Sequence, residues 1–166
     1  MPEDQRNIRA AERADLLRRE LVSQRVDFAF ETVFSRTDYW LEFLLTLSAA
    51  GYEIWVFFIC TESASLNMAR IEYRVLNKEG HAVPPGKVAS RFPGSIRTAV
   101  EAKSIVEQLW IYDNTETDQR HRLVARFIRG KIDYFSKTIP SWAQPLFLVR
   151  QKNLWVSSGS GNLPSE

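Results

Sequence analysis

Residues 51–60 read GYEIWVFFIC. Gly51 suits the left-handed residue that ends a helix. From Ile54 to Cys60 the run is continuously apolar, which predicts a strand over 52–60 covered on both faces, as in a parallel sheet. The run is too short to cross a bilayer, which takes ~20 residues as a helix.

Upstream, Thr37-Asp38 is placed to cap a helix whose one face carries Trp40, Phe43, Leu44 and Leu47. Before it stands VDFAFETVFS, residues 26–35. The pattern predicts a strand from Val26 to Glu31, with Glu31-Thr32 at its carboxyl end, where open α/β sheets place ligands. Residues 8–24 form a further predicted helix, with Ala10, Ala14, Leu17 and Leu21 on one side.

Downstream, Ser63 or Ser65 opens a helix to about Asn77 that sets Arg70 and Arg74 four residues apart on one face. NKEGHAVPPG at 77–86 is a loop of breakers, and 87–104 is helical with a bend near Pro93-Gly94. QLWIYDN at 108–114 is a strand ending in a turn signal. Residues 118–129 read as helix, KIDYFSK and SWAQPLFLVRQ as short elements of either kind. The tail over 151–166 is expected to be disordered. Strands alternating with helices predict one α/β domain over 1–150, a parallel sheet flanked by helices.

Composition is that of a globular chain: 45% hydrophobic, 25% charged, net charge +2 over 166 residues. The N-terminus is polar rather than a secretory signal, so the expectation is a cytoplasmic protein that contacts no membrane. The lone cysteine, Cys60, lies in the apolar run and reads as a buried structural thiol. His81 has no second ligand in sequence reach, so no metal site is expected.

Two clusters carry chemistry. Arg70 and Arg74 repel across one helical turn, a penalty that an anion removes, and Arg91 beyond the loop can join them to grip phosphate oxygens. Lys and Arg at 120, 122, 126, 129, 131, 137, 150 and 152 form a basic stretch with interleaved aromatics, with only Asp118 and Asp133 near it. A solvated helix face is the commoner reading of such a stretch; an acidic partner or nucleic acid is the other.

FAFETVFS, AAGYEIWVFFI, ARIEYRVLNKEGHAVP, SRF and LWIYDN, in this order across about residues 8–130, together resemble the zeta-toxin-like family of small P-loop kinases. The resemblance implies ATP with Mg²⁺ as cofactors and phosphoryl transfer to a hydroxyl of a nucleotide or nucleotide-sugar ligand, UDP-N-acetylglucosamine in zeta-type toxins. It further implies an antitoxin partner, substrate-binding roles for Glu31 and Thr32, and phosphate contacts from Arg70, Arg74 and Arg91.

The departures are equally definite. No G-x-x-x-x-G-K-[ST] occurs in the chain, KEGH stands for Gly-Gly-His, and Ser90 replaces the first Arg of Arg-Arg-Phe. The resemblance therefore implies an incomplete P-loop kinase fold. It lacks the central strand between 26–31 and 52–60, so those two either pair directly or stay open for an N-terminal segment or partner to complete. Little or no kinase activity is expected from the chain alone. The alternative function is a non-catalytic binding protein that uses the Glu31 cleft or the basic stretch.

Overall fold

The computed structural model describes residues 3–117 and 121–148. Helices α1 (Glu3–Gln24) and α2 (Thr37–Ala49) precede strand β1 (Trp55–Cys60). Helices α3 (Ala64–Leu76) and α4 (Pro85–Ala102) lead to β2 (Gln108–Asp113), β3 (Arg122–Ile128), β4 (Lys131–Phe135) and a 3-10 segment, Ser141–Phe147.

The periodicity of α2 decides its packing. Trp40, Phe43, Leu44 and Leu47 are all buried. The helix ends in a Schellman turn, with the Gly51 amide donating to Ser48 and the Tyr52 amide to Leu47, and Gly51 takes φ +85°, which glycine adopts without a Cβ penalty. Thr37 and Asp38 are the first helical residues rather than the cap. Arg36 holds the cap position without a side-chain bond, and the Thr37 hydroxyl instead meets that of Thr98 on α4 at 2.9 Å. The helix α4 runs through Pro93. Beside it Gly94 allows close approach, since a Cβ there would lie 2.7 Å from the Ser35 carbonyl oxygen.

The sheet is mixed, in the order β1-β2-β3-β4. Only β1 and β2 are parallel; β3 and β4 add antiparallel. The expectation of a parallel sheet holds for that pair alone. The β2–β3 and β3–β4 connections are short, and short connections make antiparallel neighbours. Residues 122–128, predicted helical, form β3. The irregular register opposite 111/112 makes Val124 an extra residue on β3, so that Val124, Ala125 and Phe127 are all buried and the two-residue period is hidden. Residues 118–120 lie outside the described residues.

One sheet face meets α2, α4 and the 3-10 segment. Phe58, Leu109, Ile111, Val124 and Phe127 join Leu44, Leu47, Ala99 and Trp142 in one core. Lys103 Nζ donates to the Leu146 carbonyl at 2.6 Å, tying the 3-10 segment to the end of α4. The other face is open. Trp55, Phe57 and Ile59 alternate on it about half exposed, so the expected cover on both faces of β1 is absent among the described residues.

The strand expected over Val26–Glu31 does not form; residues 26–36 carry no regular secondary structure. A strand needs a paired neighbour, and side chains hold this stretch elsewhere. Phe28 packs edge-on to Tyr52 at 5.8 Å, Phe30 stacks on Trp40 at 5.6 Å, and the Tyr52 hydroxyl donates to the Val26 carbonyl at 3.1 Å. Left-handed backbone at Arg25 and Phe34 brackets it. Arg18 of α1 lies 5.1 Å from the Phe30 ring and 5.4 Å from that of Trp40, while Asp15 accepts from Tyr39 on α2.

Candidate anion-binding cleft

A cleft of about 810 Å³ opens at the carboxyl ends of β1 and β2, the position at which parallel α/β units hold ligands. It is built from the strand ends upward. Thr61, buried just after β1, has its hydroxyl 2.9 Å from Asn67 Oδ1 and 3.2 Å from the Ser63 carbonyl, and donates to one of them. Ser63 caps α3 by accepting the Leu66 amide at 3.2 Å, as its sequence position suggested.

Arg70, in the second turn of α3, lines the cleft. Nη1 donates to the Asn114 carbonyl at 2.5 Å and Nη2 to the Thr115 carbonyl at 2.8 Å. The loop after β2 is fixed from below as well. Asp113 accepts the Thr115 hydroxyl at 2.6 Å and amide at 3.2 Å, and Arg122 Nη2 at 2.9 Å. Burial alone would raise the Asp113 carboxyl, but these donors outweigh it and hold its pKa below the ordinary carboxylate value. A depressed pKa contributes stability that is complete above the unfolded value of ~3.9 and is lost as pH falls through the folded one. Acid titration of wild type and Asp113→Asn, followed by circular dichroism, is expected to show the wild type's advantage at pH 6 shrinking below about pH 4.

Arg74 and Arg91 occupy the rim with Gly80, His81 and Val83 of the intervening loop. Both arginines are exposed, and among the described residues neither has an ion-pair or hydrogen-bond partner. Thr32 and Val33 supply the opposite wall. Glu31 is exposed one residue before them and is not part of the lining. The cleft thus brings together Thr32, Arg70, Arg74 and Arg91, with Arg70 already bound to the loop through both terminal nitrogens.

Thr61, Asn67 and Asn114 in the lining went unmarked in the sequence as site residues. Asn67 had a legible signal: it stands one turn before Arg70 on the same face of α3. Tyr73 is also in the lining and largely exposed.

Cys60 lines the cleft base but is not a nucleophile. Burial pushes its thiol up to about 12, so the thiolate is scarce at neutral pH. Thiol labelling of native protein at pH 8 is expected to be at least about 100-fold slower than in denaturant; equal rates would contradict this burial.

The residues present do not fit the triphosphate of ATP·Mg²⁺. The strand-to-helix loop after β1 is Thr61-Glu62-Ser63, with no glycine to expose amides and no lysine, and Glu62 repels phosphate there. Among the described residues no group of three His, Cys, Asp or Glu can hold a metal ion.

Three arginines of the basic stretch are ion-paired. Arg122 pairs with Asp113, Arg126 with Asp133 and Arg129 with Glu107. Two of the three acids come from β2 and its approach, which a linear reading over 120–152 does not count. Arg120, Arg150, Lys152, Asp118 and the tail lie outside the described residues, which include no helix long and apolar enough to cross a membrane. A scan of protein-family models, a search of curated proteins and a search of solved structures each return no match to this chain.

Proposed function

We propose that the chain binds a phosphate-bearing small molecule, a nucleotide or nucleotide sugar, as the acceptor-holding half of a kinase-like site, and that it does not transfer phosphoryl groups alone. One observation carries this reading: two exposed guanidinium groups, Arg74 and Arg91, without anionic partners among the described residues, line a cleft at the carboxyl ends of a parallel strand pair. A pyrophosphate held there gains charge-assisted bonds from them. Thr61, Asn67 and Thr32 offer hydroxyl and amide groups to a sugar, and Tyr73 a surface to its base. Glu31 approaches an acceptor hydroxyl only if the 26–33 stretch shifts.

Catalysis requires a phosphate cradle beyond these 166 residues. Among the described residues β1 is an edge strand of the sheet, and a strand from another segment or an antitoxin-like partner can pair along such an edge. The test is calorimetry of the chain with UDP-N-acetylglucosamine, ADP and uridine. The diphosphates are expected to bind, more weakly as salt screens the arginines, and uridine not to bind. Equal binding of uridine, or tight binding of ATP·Mg²⁺ with turnover, would overturn this assignment.

A further inference from the structure

Among the described residues, the uncovered face of the sheet carries a band of large apolar side chains around one paired set of charges. Trp55, Phe57 and Ile59 of β1, Ile128 of β3 and Tyr134 of β4 are between 36% and 55% exposed, with Trp110 and Tyr112 of β2 half-buried between them. The rings are ordered across strands: Phe57 stacks on Trp110 at 5.9 Å, and the Arg126 guanidinium lies 4.7 Å from the Trp110 ring. A sheet that faces water on one side normally presents polar residues there; on β1 the outward residues Trp55, Phe57 and Ile59 are all apolar.

Three features fit the face for burial. Both indole N–H groups are satisfied within the face, Trp55 by Glu53 Oε1 at 2.8 Å and Trp110 by Gln108 Oε1 at 3.1 Å, so covering them strands no donor. Its central charges, Arg126 and Asp133, pair with each other. The face therefore carries no net charge at its centre and does not repel an identical surface. Its size also suits association. Counting ~150–250 Å² per whole aromatic side chain, the exposed residues and the half-buried rings offer roughly 600 Å² per copy, close to the ~800 Å² per partner of a standard interface.

We propose that this face is a homodimer interface, in which two copies pack sheet on sheet about a twofold axis near Phe57 and Trp110. Two sheets packed in this way lie ~10 Å apart with strands within about 30° of each other. The arrangement places Phe57 of each copy against the partner's β1–β2 surface and leaves the anion cleft, at the strand ends, accessible.

Sedimentation of the full chain between about 1 and 100 µM tests it, a span that covers micromolar association. The expected result is a concentration-dependent monomer–dimer equilibrium, with Trp emission moving to shorter wavelength as dimer forms. Phe57→Glu, which buries two unpaired charges per dimer, is expected to weaken association at least about 100-fold. Leu45→Glu changes an equally exposed side chain on α2 and is expected to leave association unchanged. A wild-type chain that stays monomeric at 100 µM would overturn the proposal. So would open-ended aggregates without a discrete dimer, or equal loss in both variants. Because the wild-type measurement decides on its own, a misfolded Phe57→Glu does not obscure the outcome.

Discussion

Arg74→Ala combined with Arg91→Ala is expected to lower affinity for a pyrophosphate-bearing ligand by about 100- to 10,000-fold, at ~1.5–3 kcal/mol per charge-assisted contact. Folding stability should change little, because both side chains are exposed and neither has a partner among the described residues. Arg70→Ala should behave in the opposite way. It leaves the Asn114 and Thr115 carbonyls without their donors, which costs stability of about 1–3 kcal/mol, and its effect on ligand follows from a loosened loop. Thermal melts beside ligand titrations separate the two. If Arg70→Ala removes binding while stability is unchanged, and the rim pair has no effect on binding, the division of roles among these arginines is wrong.

Trp40→Ala is expected to be the most damaging single change, costing about 3–5 kcal/mol. Trp40 is 6% exposed and contacts Phe30, Phe34, Tyr39 and Phe43. It is the anchor that holds the irregular 26–34 stretch to α2. Loss of its indole opens a cavity that the surrounding rings cannot fill, and the wall carrying Thr32 loosens with it. Ligand affinity should therefore fall more than the stability loss alone predicts at temperatures where the variant is still folded. Denaturant unfolding gives the first quantity and calorimetry the second. A loss below about 1 kcal/mol would mean that the aromatic cluster is not a packed core.

The helices were legible where one face is uniformly apolar, as in α2, or where a cap residue marks an end, as at Ser63 and Gly51. The strands β1 and β2 were legible from their length and β-branched or aromatic content. Val26–Glu31 has the same local pattern and forms no strand, because pairing is decided by what lies alongside, and its phenylalanines are drawn to Tyr52 and Trp40. Residues 122–128 misled for a different reason. The register shift against β2 leaves Val124 and Ala125, adjacent in sequence, both in the core, which imitates helical spacing.

In the site, charge type was legible but commitment was not. Arg70, Arg74 and Arg91 look alike in sequence. Only the loop after β2, 44 residues away from Arg70, distinguishes the one that braces the cleft from the two left to meet a ligand. The paired state of Arg122, Arg126 and Arg129 is hidden in the same way, since their acids lie on other strands or across a hairpin.

The central claim is that an anion is held between Arg74 and Arg91 at the carboxyl ends of β1 and β2. Backbone amide spectra of labelled protein, titrated with UDP-N-acetylglucosamine, test it most directly. The account predicts shifts concentrated at Thr61, Asn67, Arg74, His81, Arg91 and Asn114, diminished by salt and lost in the double arginine variant. Shifts confined to the β3–β4 hairpin, or none at millimolar ligand, would contradict it.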